Sequence, residues 1–353
     1  MEHVDLVVVG GGQSGLAAAY AARRAGRRAV VLEQSAEAVG SWPRYYDSLT
    51  LFSPARFSSL PGRVFPGDGE RYPSRDEVAD YLRGYGEGLD ADVRTGHRVQ
   101  AVTPLPGGGF RVTTSYAEFV ADAVIAATGG FGNPHVPSLP GAGEFAGRIL
   151  HAAEYHSSGV LAGRRVIVVG GGNSAVQIAA DLAGAAARVI LATRGPLRWA
   201  PQRPLGRDIQ WWLTRTGLDT APIGARLRGR TSPVLDDGRY RSAVTAGRPE
   251  HRPMFTHLDG PVVRWPDGST DQVDAIILAT GYRPDLSYLE GTGALDDAGR
   301  PLHRHGMSTS VPGLGYVGLE YQRSISSATL RGVGRDAAQV VGRLHRRSTA
   351  ART

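Results

Sequence analysis

The chain has 353 residues, 41% hydrophobic and 21% charged, with a formal net charge of +7, no cysteine, and arginine as its only long-chain base. That length suits two domains at roughly 150 residues each, and no apolar run reaches the roughly 18 residues that would span a bilayer. Without thiols or lysine amines there are no disulfides, thiolate zinc sites, dithiol redox couples, Walker lysine or Schiff base. Chemistry must therefore come from a cofactor or from His, Asp, Glu, Ser, Tyr or Arg.

The arginines are spread along the whole chain rather than gathered in a stripe interleaved with aromatics, which argues against nucleic acid. The N-terminus "MEHVDLVVVGGG" lacks a basic n-region and a cleavage site and turns straight into a strand, so a cytoplasmic protein is expected.

Residues 5–33, "DLVVVGGGQSGLAAAYAARRAGRRAVVLE", read as a buried strand, a glycine turn, an alanine-rich helix ended by Gly26, and a second strand reaching Glu33. This is a βαβ dinucleotide pattern: Gly10 permits the tight turn, Gly12 lets the backbone approach a pyrophosphate, and Gly15 lets the helix lie close on the strand. The helix N-terminus holds the pyrophosphate. Glu33, 18 residues beyond Gly15, stands where a carboxylate accepts both ribose hydroxyls.

The pattern returns as "RRVIVVGGGNSAVQIAADLAGAAARVILATR", with Gly170, Gly172 and Ala175 at the three glycine positions. Thr193 and Arg194 occupy the place of the ribose acid. A carboxylate repels a 2′-phosphate, whereas a hydroxyl and a guanidinium bind one, so the first cradle is assigned to FAD and the second to NADPH. Two strand exits, "VIAATGG" (124–130) and "IILATGYRP" (276–284), flank the second cradle. The fold class is thus α/β, with two Rossmann-like dinucleotide-binding domains. The NADPH domain (146–276) is inserted into an FAD domain made of 1–145 and 277–353.

Between the first strand exit and the second cradle runs "FAGRILHAAEYH" (145–156), the crossing from one domain to the other. Its two histidines, five apart, would not share a helical face, and the remaining histidines show no metal spacing, so no metal is expected. It reads as a hinge. "PLGRDIQWWLTRTGL" (204–218) reads as a short helix whose Trp211 and Trp212 either roof the active site, contact a partner or pack a core. The final stretch from Gly334 reads as a helix with a basic tail that packs on the FAD domain, in preference to an anionic surface.

The chain resembles the flavin-containing monooxygenase family over about residues 5–345. The family fingerprint FxGxxxHxxx(Y/F) is met by Phe145, Gly147, His151 and Tyr155, and its ATGY motif by Ala279 to Tyr282. "GSWPRYYDSLTLFSP" is similar to the flavin-contacting stretch, "GGGNSAVQIA" to the NADPH motif, and "GLEYQRSISSATLRGVGRDA" resembles the flavin monooxygenases of bacterial arsenic-resistance clusters. The departures are Ala175 and Gln177 for Gly and Asp, and Phe52 where many members carry Asn or His. Tyr155, in place of Trp-Pro or Trp-Asp, points away from the Baeyer–Villiger branch.

The resemblance implies an NADPH-dependent FAD monooxygenase that forms a C4a-hydroperoxyflavin and oxygenates a small soft nucleophile at sulfur, nitrogen or trivalent arsenic. Its partners would be that substrate and O2, with no nucleic acid and no integral membrane segment; a homodimer is among the arrangements left open. FAD contacts are expected from Gly10, Gly12, Gln13, Ser14, Gly15, Glu33, Gln34, Ser41, Trp42, Val99, Ala127, Thr128, Gly129, Gly318 and Gln322. NADPH contacts are expected from Gly170, Gly172, Asn173, Ser174, Thr193, Arg194, Ala279, Thr280 and Gly281. Catalysis is flavin-borne, with no catalytic side chain assigned beyond the linker residues His151 and Tyr155. An NADPH oxidase, a quinone-type reductase and a non-catalytic NADPH/FAD sensor are the alternatives.

Overall fold

A computed structural model describes residues 2–229 and 232–350, with side chains to Arg346. The last three residues of the 277–353 stretch and of its basic tail lie outside the described residues. Strand Glu2–Val9 forms the middle of the first sheet, paired in parallel with Ala29–Leu32 on one side and Glu118–Ala126 on the other. Its run Leu6 to Val9 is buried on both faces, which is why it reads as unbroken apolar sequence rather than as an alternation. Beyond these strands lie Asp92–Arg94 and Leu314–Tyr316, also parallel, while Val99–Pro104 and Phe110–Thr114 form an antiparallel ribbon on Glu118–Ala126.

The second sheet has five parallel strands in the order Glu250–Pro253, Arg188–Thr193, Arg165–Val169, Ala275–Leu278, Arg148–His151. Each sheet carries its cradle helix, Gln13–Arg24 on the first and Asn173–Leu182 on the second. Close packing at the first cradle demands glycine: a Cβ on Gly15 would lie 1.7 Å from the Gly10 carbonyl oxygen. At the second, Ala175 is fully buried in the same position.

Strand Arg148–His151 corrects the hinge expected over 145–156. Its four residues pair with Ala275–Leu278 at the sheet edge, and Gly147 is needed because a Cβ there would meet the Asp274 carbonyl at 2.6 Å. Four residues are too few to show a period, so the strand was invisible in the sequence. The C-terminal helix Leu330–Ala350 buries Leu330, Val333, Ala337, Val340, Val341 and Leu344 in one core cluster with the helix Gln13–Arg24. That stripe is stronger than the glycine- and arginine-rich sequence suggested, and it faces protein. Among the described residues no helix is long and apolar enough to cross a membrane.

The chain crosses between the sheets twice, and the two crossings run side by side. Arg283 N–H donates to the Asn133 carbonyl, Asp285 N–H to Gly129 and His135 N–H to Gly281, each at 2.9 Å, and the Thr128 hydroxyl donates to the Asp285 carbonyl. A third connection comes from 204–228. Its helix Ile209–Thr216 is capped by Asp208, and the segment beyond it grips the stretch 323–331. Asp219 there binds Arg331 at 2.7 Å with the two side chains only 6% and 11% exposed, Ser326 donates to the Asp219 carbonyl, and Arg323 to that of Thr220.

Removing one partner of so buried a pair strands the other charge, so Asp219→Ala should cost about 3 kcal/mol. Thermal unfolding of the purified protein would show this as a lowered Tm; an unchanged Tm would mean the grip contributes nothing.

Candidate active site

Both cradles open into one cleft of about 2020 Å³, more than a single small ligand requires. In the first, Gly10 takes φ +103°, and a Cβ there would meet the Ala127 carbonyl oxygen at 2.8 Å. Gly12 caps the helix without any side-chain hydrogen bond, so the first-turn N–H groups stay open towards the cleft. The second cradle repeats this with Gly170 (φ +147°) against Ala279 and with Gly172 as the bare cap. Uncapped, Cβ-free helix N-termini fit a pyrophosphate, and two of them fit two dinucleotides.

Glu33, 4% exposed, ends its strand at the cleft and accepts from the Gly11 N–H (2.6 Å) and the Ser35 N–H (2.8 Å). Those bonds fix the carboxylate and leave lone pairs for further donors. Trp42 Nε1 donates to Gln13 Oε1 (3.0 Å), and Gln13 Nε2 donates to the Ala328 carbonyl (2.8 Å), tying the tryptophan segment and the C-terminal stretch to the first cradle.

Of the residues singled out in the sequence, Gly10, Gly12, Gln13, Ser14, Glu33, Gln34, Ser41, Trp42, Val99, Ala127, Thr128, Gly129 and Gly318 line the cleft. So do Gly170, Gly172, Asn173, Ser174, Thr193, Arg194, Ala279, Thr280 and Gly281. Gly15 lies beneath the turn rather than on the wall. Gln322 is buried behind the wall, where its side chain accepts from the Leu319 N–H. Thr193 faces the cleft with its hydroxyl already engaged, donating to the Gly195 carbonyl (2.6 Å) and meeting His251 Nε2 at 2.8 Å. Arg194 is exposed on the wall, and Arg198, missed in the sequence, stands on the same wall.

His151 and Tyr155 stand back from the cleft. His151 Nδ1 accepts from the Ala153 N–H, which leaves Nε2 to donate to the Gly281 carbonyl at 3.1 Å, and its ring meets Tyr282 edge-on. It lies behind the second strand exit, where burial lowers its pKa and favours the neutral ring. Tyr155 donates to Asp181 Oδ2 at 2.7 Å inside the second core, its ionisation suppressed chiefly by burial.

Sequence reasoning also missed an aromatic stack at the crossings. Phe131 stacks on Tyr282 (5.4 Å between centroids), Tyr45 packs edge-on against both, and Trp42 adjoins Tyr45. Trp211 and Trp212 pack on each other at 4.7 Å, and it is Ile209, Gln210 and Leu213 of that helix that face the cleft. Phe52 lies on the wall, 41% exposed. Among the described residues no three His, Asp or Glu side chains are placed to hold a metal.

Two glycine cradles facing one cleft define a protein of the class that binds two dinucleotides side by side. The family model for pyridine nucleotide-disulphide oxidoreductases matches residues 7–318. The CzcO-like oxidoreductase of Geobacillus kaustophilus is 33% identical, with 97% of this chain and 98% of that protein aligned. The indole-3-pyruvate monooxygenase YUCCA1 of rice is 34% identical over 96% and 91%. The solved flavin-containing monooxygenase of Stenotrophomonas maltophilia superposes with a TM-score of 0.86 at 33% identity, covering 99% of this chain and all of that one. The chain belongs to the pyridine nucleotide-disulphide oxidoreductase family and, within it, to the flavin-dependent monooxygenases, which use FAD and NADPH.

Partly buried histidines also set an acid limit. Burial, reinforced by Arg228, pushes His303 from 6.5 down to about 4, and burial lowers His151 and His251 too. Below pH 6.5 the unfolded chain takes up protons that the folded one refuses, so stability falls as pH drops towards 4. The carboxyl of Asp274, held at about 2 by Arg165, adds its own loss only at lower pH. Denaturant unfolding across this window should show that slope, and His303→Asn should flatten it; identical slopes would contradict the assignment.

Proposed function

We propose that the first cradle holds FAD and the second NADPH, and that the enzyme uses O2 to oxygenate a small soft nucleophile at sulfur, nitrogen or trivalent arsenic. The observation that carries this is the pair of uncapped, glycine-built helix N-termini opening into one cleft, with a carboxylate at the first and arginines at the second. Bound FAD would supply the two-electron chemistry that activates O2; the chain supplies binding, orientation and exclusion of water.

In this account Glu33 accepts the ribose hydroxyls beside the first cradle. The 2′-phosphate falls to Arg194 and Arg198, with Thr193 holding the turn through Gly195 and His251. Ser41, Trp42, Gly129 and Gly318 border the flavin, and Ala279 to Gly281 border the nicotinamide nucleotide. We divide the chain into an FAD domain and an inserted NADPH domain, moving the second boundary from the expected 276 to Leu278, where the strand of the second sheet ends. His151 holds the second crossing through Gly281 without touching substrate. The apolar Phe52 on the wall favours one alternative, release of peroxide in place of oxygenated product.

With methyl p-tolyl sulfide present, NADPH consumption should yield sulfoxide. Stoichiometric peroxide with no oxygenated sulfide, amine or arsenical would leave an NADPH oxidase. Losing a charged hydrogen bond to the 2′-phosphate, Arg194→Ala should raise KM for NADPH by about tenfold and leave that for NADH nearly unchanged. Equal changes for both would remove the arginine from this role.

A further inference from the structure

One polar side chain on the cleft wall has no work inside the protein. Gln210 is 97% buried by its 3% exposure, lines the cleft, and its Oε1 has no hydrogen-bond partner. A buried amide oxygen left unpaired costs about 1–3 kcal/mol, which a ligand can recover. A half-turn of the carboxamide exchanges its oxygen for its NH2, so the group can meet either a donor or an acceptor.

The position of Gln210 is tightly held. Its backbone N–H donates to Asp208 Oδ1 (2.8 Å), while Asp208 Oδ2 accepts from Tyr72 (2.7 Å) and from Gln202 Nε2 (2.8 Å). Gln202 Nε2 also donates to the carbonyl of Phe52 (3.1 Å), which fixes Phe52 and Gln210 in one network. One turn along, the Leu213 carbonyl accepts from Asp219 N–H, and Asp219 holds Arg331 just beyond Ala328, the partner of Gln13. Gln210 therefore lines the cleft in company with Phe52, Ile209, Leu213, Ala328 and Thr329.

The charged groups traced from Gln210 through this network are already engaged. Asp208 is buried among three donors, and Arg331 is paired with Asp219. Arg228, further along, is turned to His303 at 2.9 Å. With these charges already engaged, a neutral molecule with one hydrogen-bonding group suits the unpaired amide better than an ion would.

We propose that Gln210 is a specificity-determining residue: its carboxamide hydrogen-bonds the hydroxyl or amide group of a small, uncharged, otherwise apolar substrate. This rests on the monooxygenase reading for the word substrate, but its test needs no turnover. The holoenzyme is titrated with thioanisole and with 4-(methylthio)benzyl alcohol, and dissociation constants are taken from the perturbation of the flavin absorbance. The native protein should bind the alcohol about tenfold more tightly than thioanisole, as expected for one hydrogen bond made in a buried site. Gln210→Leu should abolish that preference while FAD content and the rate of flavin reduction by NADPH stay unchanged. Should Gln210→Leu lose FAD, Gln210→Met, closer in shape, is titrated in its place. A preference that survives the substitution, no preference in the native protein, or no saturable perturbation by either probe overturns the proposal. Peroxide-only turnover alongside the expected binding pattern would count against the oxygenation reading alone.

Discussion

The structure depends on two chain crossings that are stitched to each other. Residues 128–135 leave the first sheet and 280–285 return from the second, and their backbones bond directly: Asn133 with Arg283, Gly129 with Asp285, His135 with Gly281. The Gly281 carbonyl takes both the His135 N–H and His151 Nε2, so its two lone pairs join three parts of the chain. Over this seam lie Phe131, Tyr282 and Tyr45, whose rings would lose their stacking if the crossings parted. A two-sheet protein joined only by flexible linkers would leave its cradles free to separate. Here the seam holds them open to the same space.

Around the seam, charge is handled by pairing and glycine by necessity. Asp219 and Arg331 compensate each other out of water, as do Arg323 and Asp336; the first pair pins the 323–336 region to the segment after the helix Ile209–Thr216, and the second braces the region internally. Glu33 differs, because its oxygens are held by backbone N–H groups and keep acceptor capacity towards the cleft. At Gly318 a Cβ would fall 2.0 Å from Ser14 Oγ, so the bend after strand Leu314–Tyr316 can approach the first cradle only as glycine. These are local costs of building a surface against which a planar cofactor can lie.

Much of this was legible because it is local. Each cradle lies within about thirty consecutive residues, and strand, glycines, helix and terminal residue are enough to read the pattern. What could not be read depends on distant partners. The hydroxyl of Thr193 looked available for phosphate, but it donates to the Gly195 carbonyl and its oxygen meets His251, far along the chain on a neighbouring strand. Strand Arg148–His151 is defined by pairing with Ala275–Leu278 and by no pattern of its own. The two tryptophans drew attention to 204–218 by their size, yet Ile209, Gln210 and Leu213 meet the cleft, and the unpaired amide of Gln210 is visible only once its surroundings are known.

The central claim is that one cleft couples oxidation of a nicotinamide nucleotide to transfer of an oxygen atom from O2 to a bound acceptor. Turnover with NADPH and a thioether under ¹⁸O2, read by mass spectrometry of the product, tests it most directly. The account predicts a sulfoxide carrying one ¹⁸O atom; recovery of the unlabelled thioether with all the label in peroxide or water would contradict it.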